Sequence, residues 1–458
     1  MIRIPILLVS LFCVLATAFA QKPVPGKTMS LFQGRQAEVF TLFGPATAAK
    51  EETRQYVANA FSLSIQPAVL QALQNADAGI ISIQLPDPLN IQLDLYRTSV
   101  FSSDAMISTS DGRVFAPNPD HQFYRGMIHG DPNSLAIVSV FESRVQILFA
   151  DKDGNRRIQK SADGSYLLFK DLDILVPKDI SCFVDETNDS SYAEAAPSPN
   201  QRMAGNCVHV YLECDYKSYQ DNGSSVPNTE EWVAELWNEV ITLYENEDIP
   251  VEVSDVLVYT STDPFANSPN TGLMLDTFMI HINNITYDGR LAHLLSTRSL
   301  GGGIAYVDVL CSNSFQVAVS TSLSTNIVPL PTFSWSVECV THEMGHNMGS
   351  RHTHACAWNG NNTAIDGCGP AAGYNEGCNG PLPQDGTIMS YCHLLSGVGI
   401  DFNLGFGPQP GDLIRQRYND ASCNTGVCTP PLCTSLTTPT PGSTGVDINQ
   451  NLFWTSSD

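Results

Sequence analysis

Apolar and polar positions alternate in short runs through the first 185 residues, and the rhythm changes near Cys207. Segments 80–85, 91–96, 135–141, 145–149 and 166–169 have strand length and strand composition. Turn signals at Asp111-Gly112, Gly130-Asp131-Pro132-Asn133 and Asp153-Gly154 punctuate them. The pattern predicts a β-rich N-terminal region with no recognisable catalytic cluster. Beyond Cys207, segment 208–212 reads as a strand. Asn228-Thr229-Glu230-Glu231 then opens a helix whose Trp232, Leu236, Val240 and Leu243 recur at helical spacing. Segments 251–259 and 301–309 read as further strands. A helix follows from about Ser336, with Val337, Val340, Met344 and Met348 as its apolar stripe. Strand, helix, strand order implies an α/β layer whose sheet is partly parallel.

The punctuation between these regions divides the chain. Residues 1–20 read as a secretory signal, with Arg3, an apolar stretch over 4–16 and the small-x-small site Ala18-Phe19-Ala20. Residues 21–185 form the β-rich region. Residues 186–206 are a polar strip containing Gln201-Arg202, which suits an exposed, cleavable linker. Residues 207–433 carry the mixed pattern. A Thr/Pro/Gly/Ser linker over 434–445 precedes a last strand near 447–454, read as the start of a truncated β-sandwich module at 446–458. No later stretch approaches the about 18 apolar residues of a membrane span.

With 458 residues the chain is too long for one core. Its net charge of −24, from 47 acidic and 23 basic residues, argues against nucleic acid or anionic lipid as a partner. Acidity kept for solubility explains that charge equally well, so it names no substrate. Of the 13 cysteines, Cys13 lies in the leader, and all the others except Cys182 lie from Cys207 onward. In an oxidising compartment the dense set reads as disulfides.

The chemistry concentrates at residues 342–352, His-Glu-Met-Gly-His-Asn-Met-Gly-Ser-Arg-His. On a helix His342 and His346 project from one face and can grip one ion. Glu343, about 100° further round, misses the ion but reaches a water beside it. Gly349 fits a left-handed C-terminal cap, and the turn returns His352 as third ligand, leaving one tetrahedral position open. The two-histidine core alone would arise by chance in roughly 1% of chains this long, and the added Gly and His cut that by a further factor of about 600. One catalytic Zn²⁺ is therefore the expected cofactor. Calcium is a further candidate ion, with no ligands assigned.

The run His342–His352 resembles the extended zinc signature of the metzincin metalloendopeptidases. Gly386-Thr387-Ile388-Met389-Ser390-Tyr391 is similar to their Met-turn. Within that superfamily, Leu291-Ala292-His293-Leu294-Leu295 and Gly301-Gly302-Gly303-Ile304-Ala305-Tyr306 resemble the reprolysin, or adamalysin-like, branch. Tyr124-Arg125-Gly126 with Gly130-Asp131-Pro132-Asn133-Ser134 resembles that branch's prodomain. Two residues depart from it. Thr353 stands where adamalysins usually carry Asp, and Tyr391 is similar to the tyrosine of astacins and serralysins that approaches the zinc.

The resemblance implies a multidomain protein: a β-rich prodomain, then an α/β (α+β) catalytic domain with a twisted mixed sheet and a zinc-binding active-site helix. It implies a secreted endopeptidase acting on protein or peptide substrates, with Glu343 as general base and acid. Met389 becomes the hydrophobic floor beneath the histidines rather than a ligand. Tyr391 is either a donor to the oxyanion or a plain core tyrosine. Gly302, Gly303, Ile304, Ala305 and Tyr306 become an edge strand with free backbone groups that takes an extended substrate, the alternative being a flexible loop. Cys182, in Ser181-Cys182-Phe183-Val184-Asp185, resembles a zymogen switch that holds the prodomain on the zinc; otherwise it is a buried, unpaired or disulfide-bonded cysteine. Cys311 and Cys423 resemble the long bridge of adamalysins. Cys356, Cys368, Cys378 and Cys392 pin the loops before the Met-turn, or hold a second, structural zinc. His354 and His393 lie near the zinc segments in sequence and are candidates to support the ligands from outside, although a surface or hydrogen-bonded structural role is the preferred reading for all the remaining histidines.

Two rival readings remain. One is a binding or adhesion protein on an inert metzincin fold, which retention of Glu343 and all three histidines disfavours. The other is a gluzincin-type exopeptidase, which His352 at the third-ligand offset disfavours.

Overall fold

The computed structural model describes residues 22–161, 163–175, 183–185, 207–325, 334–423, 428, 435–438 and 453–455. The expected leader, the strip 186–206, Cys182 and Cys433 lie outside the described residues. No described helix is long and apolar enough to cross a membrane.

The N-terminal alternation builds a ten-stranded sheet. Its centre is an antiparallel meander from Gln122–Ile128 through Leu135–Phe141, Arg144–Asp151 and Gly154–Lys160 to Tyr166–Lys170. Gly130 and Gly154 turn the chain at positive φ, where a side chain would be strained. One face of the sheet covers a core including Ile83, Leu93, Val138, Ile147 and Phe149. The other face, through Ile137, Phe141 and Leu148, shares a core with the long helix Val226–Glu245. Burial on both faces explains why Leu135–Phe141 is apolar at nearly every position.

The second sheet has eight strands and draws on both halves of the chain. Its order is Phe183–Asp185, Gly303–Tyr306, Val317–Ser320, Leu291–Leu295, Val208–Cys214, Val251–Val258, Phe101–Thr109 and Val114–Phe115. Gly303–Tyr306 is antiparallel to Val317–Ser320, while the four strands from Val317–Ser320 to Val251–Val258 run parallel. The expected mixed, partly parallel sheet is present. The N-terminal half adds to both of its edges. Phe101–Thr109 pairs in parallel with Val251–Val258, where Asp255 accepts the Met106 N–H at 2.7 Å. At the opposite edge, Phe183–Asp185 pairs in parallel with Ile304, Ala305 and Tyr306. The edge expected to be free for substrate is therefore covered in this chain, because the segment just after Cys182 satisfies its backbone groups. The C-terminal pair Ser435–Thr438 and Phe453–Thr455 is antiparallel, which puts a strand inside the stretch read as linker.

The long helix is capped by Ser225, whose hydroxyl accepts the Asn228 N–H, with Pro227 in its first turn. Its apolar stripe was legible, but its acidic side does not face water. Arg144 pairs with Glu231 at 3.1 Å and also with Glu235, and Arg157 meets Glu239 at 2.5 Å. Arg125 meets Glu245 at 2.8 Å, and Lys27 and the Tyr96 hydroxyl each lie 2.9 Å from the same carboxylate. The N-terminal half supplies every one of these cations.

Removing one member of a buried pair strands the other charge. Arg157→Ala should therefore lower stability of the full chain by about 3–5 kcal/mol in denaturant unfolding. The double change Arg157→Leu with Glu239→Leu should recover most of that loss; equal loss in both variants would mean that packing, not the stranded carboxylate, sets the cost.

Candidate metal centre

The helix Trp335–Asn347 is buried around its whole circumference, so every side chain on it is constrained by a neighbour. Tyr244 of the long helix donates to the Thr341 carbonyl at 2.9 Å. Asn347 donates to the carbonyls of Tyr306 (2.9 Å) and Val317 (3.0 Å), pinning the helix end to the cleft strands. Gly345 is required by a close approach: a Cβ there would lie 2.7 Å from the Met389 sulfur and 2.9 Å from the Phe406 ring. Met389, fully buried, thus packs against the helix at Gly345, between His342 and His346 in sequence. Gly349 has φ +100°, and the bonds Ser350 N–H to Gly345 carbonyl and Gly349 N–H to His346 carbonyl make a Schellman cap. That turn brings His352 back towards the helix.

The three imidazoles converge. His346 Nε2 lies 3.0 Å from His342 Nε2 and 3.2 Å from His352 Nε2, and all three rings are buried. On their other sides the rings meet acceptors: His342 Nδ1 faces the Ile388 carbonyl at 2.8 Å, His346 Nδ1 the Ser350 carbonyl at 2.7 Å, and His352 Nδ1 a Glu376 carboxylate oxygen at 2.5 Å. Each Nδ1 must then carry the hydrogen, so each Nε2 presents a lone pair. Three lone pairs aimed at one buried point repel one another unless a cation sits among them. The donor set fits Zn²⁺, whose ordinary ligands include neutral imidazoles with Nδ1 held by an outer acceptor.

Glu343 is fully buried and packs against Gly303 of the cleft strand, where any Cβ would overlap its carboxyl group. This explains the need for glycine at that position. Ile304, Ala305 and Tyr306 follow in the strand, with Gly302 at φ +137° just before it. Tyr391 is buried with its ring 4.6 Å from His352 and 4.8 Å from His354, so it walls the third ligand. Thr353 fills the position that carries Asp in adamalysins; its N–H donates to the Met389 carbonyl at 3.0 Å and ties the third histidine to the Met-turn.

Cys311–Cys423, Cys356–Cys378, Cys368–Cys392 and Cys207–Cys428 are disulfides. The expected long bridge and the loop pins are present, and with those four cysteines bonded no structural zinc can use them. Cys214 and Cys339 depart from the expectation as buried free thiols, the Cys214 thiol pushed far up by burial.

Sequence reasoning missed three groups around the centre. Glu376 touches His352 and lies 3.2 Å from His354. Glu338, one turn before His342, sits 2.6 Å from His393, with both side chains buried. No local motif marks Glu376 or the Glu338–His393 pair, because each forms only by tertiary contact. The third, Asn347, lies inside the signature and is marked by nothing but its place in it.

Similarity to known proteins agrees with this geometry. Residues 204–393 match the Reprolysin_5 family model of metallo-peptidase family M12. The histidine cluster lies within that matched stretch. That part of the chain is similar to reprolysin-like metalloproteinases. Over 272 residues the chain is 22% identical to a zinc metalloproteinase-disintegrin-like kaouthiagin-like protein of Naja atra, spanning 54% of this chain and 44% of that protein. A metalloproteinase-II crystal structure from Bacteroides fragilis aligns at 12% identity and TM-score 0.41 over 69% of this chain and 90% of that one, too loose a likeness to carry an argument.

Burial also sets a pH dependence. It lowers His293 and His346 to about 3 and pushes His342 and His352 down as well, whereas an unfolded imidazole titrates near ~6.5. Below ~6.5 the unfolded chain takes up protons that these folded imidazoles refuse, so stability falls as pH falls through that window. Metal-free protein should show its unfolding midpoint dropping steadily from about pH 6.5 towards about pH 3; a flat profile there would contradict the buried, neutral assignment.

Proposed function

We propose that this chain is a secreted zinc endopeptidase made as a latent precursor. The observation that carries the reading is the convergence of three buried Nε2 lone pairs beside a buried carboxylate, Glu343. Zn²⁺ bound there supplies a Lewis acid that lowers the pKa of water towards ~7 and polarises a carbonyl. His342, His346 and His352 would hold the ion. Glu343 accepts the proton of the attacking water and returns it to the departing amide nitrogen. Met389 supports the histidines from below. Tyr391 walls His352 and is the candidate donor to the oxyanion. The substrate is a protein or peptide lying extended along Gly302–Tyr306, the strand that faces Glu343.

Latency follows from the same strand. Residues 21–185 act as a prodomain, 186–206 as the cleavable linker and 207–433 as the catalytic domain, with 434–445 and 446–458 as linker and accessory β module. The pairing of Phe183–Asp185 with Ile304–Tyr306 supports this division, since it fills the backbone positions a substrate would use. Cys182, immediately before that strand, is the candidate thiolate ligand that closes the open zinc position until the linker is cut. Four disulfides support an oxidising, extracellular setting, reached through the leader at 1–20.

Glu343→Ala should abolish casein cleavage by the processed enzyme, a loss of at least about 100-fold, while zinc content stays unchanged. Retained activity would remove Glu343 from the mechanism, and full activity after chelation has stripped the metal would remove the zinc. An inert binding protein would show no cleavage in either form. For latency, Cys182→Ala should yield a precursor active before the linker is cut; a precursor as silent as wild type would eliminate the switch.

A further inference from the structure

The three imidazoles are not held alike. His342 and His346 are fixed by the helix they share, and each turns Nδ1 towards a backbone carbonyl. His352 comes after the Schellman turn, on irregular backbone, and only its Nδ1 meets a charged acceptor, the Glu376 carboxylate at 2.5 Å. The same oxygen lies 3.2 Å from His354 Nε2, and the rings of His352 and His354 stack 4.9 Å apart with 7° between their planes. His354 is itself wedged by Gly369, where a Cβ would lie 2.5 Å from its ring. The Cys356–Cys378 bridge joins the stretch after His354 to the stretch that presents Glu376. The Trp358 indole donates to the His352 carbonyl at 2.7 Å, fixing the backbone beneath the ring.

We infer that Glu376 is the outer carboxylate that orients His352 and sets how tightly the metal is held, with His354 and the Cys356–Cys378 bridge keeping it in place. The inference rests on the metal-binding reading above but concerns a residue outside the signature. A carboxylate accepts a hydrogen bond more strongly than an amide carbonyl does. It also fixes the tautomer, and it makes the opposite ring nitrogen a better donor to an ion. The ligand with the least help from regular backbone thus receives the strongest acceptor. Glu376 is a positioning residue, since it touches a ligand and no reacting atom.

The test compares the full-length wild-type chain with Glu376→Ala and Glu376→Gln, using Zn²⁺ alone as the probe. Competition with a chromophoric chelator gives affinity and release rate, and nitrogen NMR of the imidazoles reports the His352 tautomer. Wild type should bind one ion per chain. Glu376→Ala should bind about 100-fold more weakly, release the ion faster and lose the Nδ1–H preference of His352. Glu376→Gln keeps an oxygen acceptor of the same shape, so it should retain the tautomer and lose only about 10-fold. That near-isosteric variant keeps the test decisive if the alanine variant fails to fold. Wild-type affinity and release in either Glu376→Ala or Glu376→Gln would overturn the inference and leave the metal site standing. A wild-type chain that takes up no zinc would overturn both.

Discussion

Three buried nitrogen lone pairs cannot share a point without a positive charge between them, and much of the architecture exists to force that encounter. Two of the nitrogens come from one helix face. The third arrives because Gly349 adopts a backbone conformation that side-chain-bearing residues resist. Gly345 lets Met389 approach the underside of the helix, and Gly303 lets the cleft strand lie against Glu343. Each glycine marks a place where another atom already occupies the volume of a Cβ. The sheet, the long helix and the Met-turn therefore act as a mould around a cluster that is electrostatically unfavourable by itself.

The two halves of the chain are less separable than a row of domains suggests. The eight-stranded sheet takes a strand from the N-terminal half at each edge, and one continuous core runs from Ile137 and Phe141 to Val340 and Met389. Covering both edges removes two exposed rows of backbone groups, either of which would invite pairing with another chain. The Gly303–Tyr306 edge is the one proposed to take substrate, so its cover bears on the proposed latency in a way that the Phe101–Thr109 pairing does not.

Local signals made some of this legible from sequence, and tertiary contacts hid the rest. The histidine signature could be read because metal ligands on a helix must recur at fixed spacing, and Leu135–Phe141 because its run is long and apolar. Phe101–Thr109, Phe-Ser-Ser-Asp-Ala-Met-Ile-Ser-Thr, was missed because it lacks clear alternation and is held by a partner almost 150 residues away, with Asp255 among its anchors. Glu231, Glu235 and Glu239 look like an ordinary solvated helix face. Only the fold reveals Arg144 and Arg157 opposite them. Glu376 lies in a loop with no pattern at all, and its meaning comes entirely from the ring that it touches.

The charge layout of the long helix carries a consequence for the order of events during synthesis. Arg125, Arg144 and Arg157, together with the strand Phe101–Thr109, leave the ribosome before Glu231–Glu245 and Val251–Val258 are made, and leading segments tend to fold first. The cations and the strand that the later half pairs with are thus already synthesised when that half emerges.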